Sequence, residues 1–347
     1  MARTSAASST TRRTGSTSRT TSVSEAGPAD QLRPPIANQK GDGFRPAAFA
    51  DEFIGFVRER PSFLAGYIIV LGMLLLGLAS PFLPLHSPVD ADASAYLQPP
   101  SWEHPMGTDS AGLDIFARVL HAPRVDLTIA LVSTLWAAAL GAVLGAYAGL
   151  WDGAGRLKGP AAMLLVRVAD IVQAFPVFAL ALVLVAVLGQ GVVSIVIAIG
   201  VVNVPLYLRL MRSEALGIRR QNYVEAARIA GASDRYLVFG HIIPNAAAPL
   251  MAQMSINTGV AVLLAASLSF IGAGVRAPTP EWGSMIAMGF QNVVTGQWWP
   301  SVFPGLALAL TVFGLGRIGA SILSWASPRE RSRPSRRAWK AFVGGKR

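Results

Sequence analysis

The feature that most constrains this chain is a series of six long apolar stretches. They lie at about residues 63–85, 127–150, 163–188, 192–210, 246–271 and 302–325. Each has roughly the 20 apolar residues that an α-helix needs to cross the hydrocarbon core of a bilayer. Charged residues make up only 14% of the 347 residues, against about 25% in soluble domains. The sequence therefore predicts an all-α polytopic membrane protein with about six transmembrane helices.

The charges between the apolar stretches predict the orientation of the chain. Loop 86–124 carries five acidic side chains and two arginines, whereas loop 211–245 carries five arginines and three acidic side chains. Positively charged loops stay on the cytoplasmic side of a membrane. Loop 86–124 is therefore predicted to be external and loop 211–245 cytoplasmic, which also places both termini in the cytoplasm.

The composition divides the chain into four parts. Residues 1–60 are predicted to form a disordered cytoplasmic tail rich in Ser, Thr and Arg, because most of this stretch lacks large apolar side chains to bury. Residues 61–124 hold the first transmembrane helix and the external loop, and residues 125–326 form a core of five transmembrane helices. Residues 327–347 form a basic cytoplasmic tail. Basic flanks of this kind favour membrane lipid rather than nucleic acid as a partner.

Several chemistries are excluded or disfavoured by what the sequence lacks. The chain has no cysteine, which excludes disulfides and thiol catalysis. The apolar interiors of the second to fifth stretches hold no Asp, Glu, Lys or His, which disfavours ion-coupled transport. No phosphate-binding G-x-x-x-x-G-K-[ST] motif occurs. We expect no catalytic residue and no metal, with a metal site among His86, His104 and His121 as the minor alternative.

Small residues and prolines inside the apolar stretches each leave two interpretations open. Gly141, Gly145 and Gly149 recur at every fourth position, a pattern that allows close helix packing within one bundle or between subunits. Pro176 and Pro205 each predict a kink, which is either a static bend or a hinge.

An amphipathic segment lies near the end of the chain. Residues 281–299 place Trp282, Met285 and Gly289 on one face of a predicted helix. This face would either anchor in the outer membrane interface or cover the pathway and seat a partner.

A short polar segment, YVEAARIAGASDRYLVFGHIIP, interrupts the apolar region between the fourth and fifth stretches. Tyr223–Ala230 is predicted to be a helix that Gly231 ends in a left-handed conformation. Ser233 is a candidate N-cap for a second helix, which starts at Asp234 and ends at Pro244. An ordinary solvated loop would explain the charges, but it explains less well the small residues and the placed glycine.

The same segment carries a motif of a known family. A Glu-Ala-Ala triplet, Glu225-Ala226-Ala227, is followed by Gly231 and then by two apolar residues and a proline, Ile242-Ile243-Pro244. This order resembles the EAA motif of importer-type ABC permeases. Further segments resemble, in order, the C-type subunit of dipeptide, oligopeptide and nickel permeases: 104–131, 170–182, 204–216, 224–250 and 268–286. The resemblance covers about residues 60–330.

The resemblance implies a fold, an activity and partners. The fold would be that of a type I ABC importer permease in the bacterial plasma membrane, and the chain would form half of a translocation pore for peptides or a related small solute. Its partners would be a second, homologous permease, two ATP-binding subunits and an extracellular substrate-binding lipoprotein. The ATPase subunits would bind ATP and Mg²⁺, so we expect no cofactor in this chain.

The resemblance also implies the site at which the ATPases dock. The residues expected to form or border this ATPase-coupling site are Glu225, Ala226, Ala227, Arg228, Gly231, Ser233, Asp234 and Pro244. The chain departs from the family at Leu113, where members carry arginine, and near Arg317, where a polar run is replaced by apolar residues. A stand-alone channel or a secondary carrier for a small solute remains the alternative function.

Overall fold

The computed structural model describes residues 46–326, all of whose regular structure is helical. The predicted disordered stretch over 1–45 and the basic tail over 327–347 lie outside the described residues. The helices are α1 (Pro46–Arg58), α2 (Pro61–Ala79), α3 (Ile115–Leu150), α4 (Lys158–Ala174), α5 (Val177–Leu188), α6 (Val192–Ile218), α7 (Asn222–Ile229), α8 (Asp234–Tyr236), α9 (Ile243–Asn245), α10 (Ala247–Phe270), α11 (Trp282–Val293) and α12 (Trp299–Ala326). Within residues 46–326 there is no strand, which confirms the all-α class.

Six membrane spans are present if one bent pair of helices is counted as a span. Helices α2, α3, α6, α10 and α12 are each long and apolar enough to cross a membrane, and α4 and α5 form a pair bent by 89°. The bend lies at Phe175–Pro176, because proline drives the preceding residue out of the helical region and Phe175 has φ −84° and ψ 141°. The predicted kink at Pro176 is thus confirmed, whereas α6 continues through Pro205.

Two helices extend well beyond the apolar stretches that predict them. Helix α3 begins at Ile115 instead of about residue 127, and α6 ends at Ile218 instead of about residue 210. Asp114 starts α3 by accepting a hydrogen bond from the Ala117 N–H group at 2.6 Å. Hydropathy detects only the part of a helix that lies in hydrocarbon. The predicted boundary between residues 124 and 125 is wrong, since it falls inside α3.

Helix α1 corrects the prediction that the whole of residues 1–60 is a disordered tail. The ring centroids of Phe53 and Phe56 lie 5.6 and 5.2 Å from that of Trp325 in α12. Phe56 also stacks on Phe63 in α2 at 6.0 Å. Aromatic contacts of this kind stabilise an ordered chain, and residues 46–58 accordingly form a helix.

Helices α3 and α6 pack in direct backbone contact along the glycines of α3. A Cβ atom added to Gly141 would lie 2.6 Å from the Cβ atom of Tyr207. One added to Gly145 would overlap the carbonyl oxygen of Leu208, and Gly149 is equally crowded by α6. Glycine is therefore needed for the two helices to approach this closely. The glycine pattern serves packing within the bundle.

Helix α11 is fixed to α3 by Trp282, the first residue of α11. The Trp282 backbone N–H donates to the Asp126 carboxyl group at 3.1 Å, and its indole N–H donates to the Val119 carbonyl at 3.3 Å. Glu281 caps α11 by accepting hydrogen bonds from two backbone N–H groups at 2.9 and 2.8 Å. Trp282 is fully buried and Met285 nearly so. The amphipathic face of this segment thus packs on the chain's own bundle and is not available to lipid.

The α3–α6 contact yields a stability prediction. Gly145→Ala adds a methyl group against the backbone of α6, so we expect the unfolding free energy to fall by about 1–3 kcal/mol, as for other overpacked interiors. Gly72→Ala is the matched control, because an added Cβ there meets nothing within 4 Å. Thermal unfolding of the purified variants in detergent measures the difference. Equal midpoints for the two variants would show that the glycine contact is not required.

Candidate functional site

The candidate site is a compact projection between α6 and α10, which we call the knob and define as residues 222–246. Its first helix, α7, is held to the bundle by Val224, which is fully buried. Val224 belongs to one apolar cluster with Leu150 at the end of α3, with Met211 of α6 and with Ile242 of the knob itself. The knob therefore rests on the ends of the two helices that the glycines hold together.

Gly231 turns the chain between the two halves of the knob. Its φ angle is +87°, the left-handed conformation predicted for it. The Gly231 N–H donates to the Arg228 carbonyl and the Ala232 N–H donates to the Ala227 carbonyl, both at 3.0 Å. This pair of hydrogen bonds is the Schellman termination of a helix. Helix α7 thus ends at Ile229, one residue earlier than predicted.

Ser233 and Asp234 begin the second half of the knob. The Ser233 hydroxyl accepts a hydrogen bond from the Tyr236 N–H at 3.3 Å, which confirms the predicted N-cap. The Asp234 carboxylate accepts from the Trp151 indole N–H at 2.8 Å and pairs with the Lys158 ammonium at 2.5 Å. Asp234 therefore ties the knob to the turn between α3 and α4 as well as bordering its exposed side.

The environment of Asp234 sets its protonation. The hydrogen bond from Lys158 holds the pKa of Asp234 below its ordinary value, against the opposing effect of partial burial. A lowered pKa means that the contact stabilises the fold above the ordinary value of about 3.9 and is lost as the pH falls through the lowered value. The attachment is thus fully formed at neutral pH.

Pro244 does not end the second helix, contrary to the sequence prediction. The helical path runs from α8 through a π-helical turn at Leu237–Ile242 into α9 and then α10. A proline in a regular α-helix removes one backbone hydrogen bond and clashes with the carbonyl four residues earlier. The wider π turn lies directly before Pro244 and absorbs this defect, as such turns do at helix irregularities.

Further contacts stiffen the knob and its base, and these involve residues that the sequence did not single out. The Arg219 guanidinium donates to the carbonyls of Gly149 and Asp152 at 2.9 and 2.7 Å, a favourable place for a cation at a helix C-terminus. The His241 ring packs against the rings of Tyr223 and Tyr236, with centroids 5.8 and 5.3 Å away. The positive charge of the loop pointed to its arginines as a group, but the carbonyl groups that Arg219 contacts lie about 70 residues away in sequence.

The outward side of the knob combines small, charged and apolar groups. Glu225, Ala226 and Arg228 are exposed, Ala227 is half-buried, and Ile229 has 82% of its surface exposed. A short exposed helix with small side chains on a rigid base can insert into a groove of another protein. Seven of the eight predicted site residues lie within residues 225–234, in α7 and around the Gly231 turn, and Pro244 lies farther along the chain in α9.

The fold defines a multi-pass α-helical membrane protein with a compact polar knob between two of its spans. Residues 127–332 match the family described as binding-protein-dependent transport system inner membrane component. The chain belongs to this family.

Curated relatives extend the similarity over most of the chain. A probable D,D-dipeptide transport system permease protein, DdpC of Escherichia coli (strain K12), is 37% identical over 278 residues, which cover 80% of this chain and 91% of that protein. The dipeptide transport system permease protein DppC of Alkalihalophilus pseudofirmus is 36% identical over 78% of this chain and 86% of its own length. The glutathione transport system permease protein GsiD of Pectobacterium atrosepticum is 31% identical, with coverages of 80% and 90%.

The left-handed conformation of Gly231 yields a prediction about the knob. An added Cβ at Gly231 meets nothing within 4 Å, so a substitution acts through the backbone alone. We expect Gly231→Ala to destabilise the knob by about 1–2 kcal/mol and Gly231→Asn to cost less, because asparagine tolerates this conformation. Limited proteolysis at Arg228 and Arg235 measures the opening of the knob. Equal cleavage of the two variants would contradict the role of the turn.

Proposed function

We propose that the chain is one half of the translocation pathway of an ATP-driven importer and that the knob receives the motion of an ATPase subunit. Membership of the binding-protein-dependent transport family supports the transport role. The observation that carries the coupling role is the exposed α7, fixed by the buried Val224 to the ends of α3 and α6. A push on α7 acts on both spans at once, because α7 contacts the ends of both and their backbones are packed directly against each other.

The proposal assigns roles within the knob. Glu225, Ala226 and Arg228 contact the ATPase, and the exposed Ile229 fills an apolar depression in it. Gly231 and Ser233 set the shape of the knob, and Asp234 connects it to Lys158. In this proposal the partner ATPase subunits bind ATP and Mg²⁺.

The proposal also includes substrate and partners. The names of the relatives contain D,D-dipeptide, dipeptide and glutathione, which supports a peptide as the transported solute. A second, homologous permease completes the pathway, two ATPase subunits lie beneath the pair, and an external binding lipoprotein delivers the solute. The acidic loop 86–124 faces outward in this arrangement, and both termini are cytoplasmic in the bacterial plasma membrane, following the distribution of positive charge.

The proposed contact can be tested by reversing one charge on the knob. Glu225→Lys leaves the buried side of α7 untouched, yet it reverses the charge at the proposed ATPase contact, and mismatched charges in an interface cost several kcal/mol. We expect ATP-driven uptake of a labelled dipeptide to fall by about tenfold or more, while the protein stays in the membrane at normal abundance.

Glu59→Lys is the matched control, because Glu59 is also exposed and lies outside the knob. Its uptake is expected to equal that of the unmodified chain. Normal uptake in both variants would remove the coupling role of the knob. Uptake that persists after ATP depletion would instead favour the stand-alone channel or secondary carrier.

A further inference from the structure

The segment between α2 and α3 brings together two histidines and a carboxylate. One ligand atom from each of His86, His104 and Asp114 lies within 4.8 Å of the others. The sequence alone raised His121 as a third member, but its Nδ1 atom contacts the Ala117 carbonyl at 2.8 Å and it does not belong to this group. The cluster lies on the side of the bundle opposite to the knob in the predicted orientation.

Asp114 is oriented before any ligand arrives. One of its oxygens accepts the Ala117 N–H at the start of α3 at 2.6 Å, which directs the other toward the histidines. That second oxygen lies 2.7 Å from Nδ1 of His104 and 3.8 Å from Nδ1 of His86. A fixed outer hydrogen bond of this kind is what holds ligating groups in metal sites.

The histidines are also held by the surrounding chain. The backbone N–H of His104 donates to the Ser101 hydroxyl at 3.1 Å. Near His86, the Arg118 guanidinium of α3 donates to the Pro88 carbonyl at 2.7 Å. The His104 and His86 rings lie with their centroids 5.0 Å apart. The three groups therefore converge from two separate parts of the segment and do not simply follow each other along one turn.

The donor set and its exposure fit a divalent transition metal. Two imidazole nitrogens and one carboxylate oxygen suit Zn²⁺, Ni²⁺ or Cu²⁺, and three protein ligands leave a position for water. The Asp114 and His104 side chains are 3% and 10% exposed, whereas that of His86 is 55% exposed, so the open position faces solvent. Tetrahedral ligation needs donor atoms about 3.3 Å apart. The exposed His86 side chain would move inward, and the His104 nitrogen and the Asp114 oxygen, now 2.7 Å apart, would separate slightly.

We propose that His86, His104 and Asp114 form a divalent transition-metal site that fastens the segment after α2 to the start of α3. Bound metal would replace the 3.8 Å gap between His86 and Asp114 with two coordinate bonds. The outer segment, which carries the acidic charge of the loop, would then be held rigidly against the bundle. This inference does not depend on coupling through the knob, so either proposal can fail without the other.

Zinc binding to the purified full-length chain tests the proposal. The protein is prepared with a tag that lacks histidine, stripped with EDTA and titrated with ZnCl₂ by calorimetry, and CoCl₂ reports ligation through its visible absorption. We expect one Zn²⁺ per chain and a higher unfolding temperature with zinc, because a ligand that binds only the folded state stabilises it.

Three variants assign the ligands. His86→Ala removes an exposed ligand, and Asp114→Asn keeps an oxygen for the α3 cap but removes the charged ligand. Both are expected to weaken zinc binding by at least about tenfold and to lose the cobalt absorption, whereas His121→Ala binds as the unmodified chain does. Absence of stoichiometric zinc binding, or binding unchanged in both His86→Ala and Asp114→Asn, would overturn the proposal.

Discussion

Backbone contact between α3 and α6 is the constraint on which the other parts of this structure depend. In lipid there is no hydrophobic force to bring two apolar helices together, so close packing must do so. Gly145 places the α3 backbone against the carbonyl of Leu208 in α6. The joined ends of the two helices then form the base to which Val224 and Arg219 attach. A side chain in the glycine stripe would therefore disturb the packing of the spans and the seat of the knob together.

Helix α3 connects the two sides of the molecule. Its 36 residues extend about 54 Å at 1.5 Å per residue. One end meets the knob through Leu150, and the other carries the cap at Asp114 and the hydrogen bond from Trp282 to Asp126. A displacement of the knob is thus applied to a helix that also positions α11 and the segment after α2. Such packed elements shift as units rather than deform continuously.

The sequence predicted the membrane spans and the local structure of the knob better than it predicted contacts between distant residues. Periodic glycine, the left-handed Gly231 and the Ser233 cap were predictable because each depends on a few neighbouring residues. The early start of α3 was not, since its first turns lie outside the apolar stretch. The helix end predicted at Pro244 was wrong for a related reason, because the π turn that accommodates this proline depends on packing. Links such as Lys158 to Asp234, 76 residues apart, require the folded structure.

The most direct test of the account is a cross-link from the knob in the assembled membrane complex. The chain has no cysteine, so Ala226→Cys offers a single attachment point for a photoreactive maleimide on an exposed position of α7. Ala91→Cys, equally exposed in the segment after α2, is the matched control. We expect a cross-link from position 226 to an ATP-binding subunit and none from position 91. An intact complex in which position 226 reaches only lipid, or in which position 91 reaches the ATPase, would contradict it.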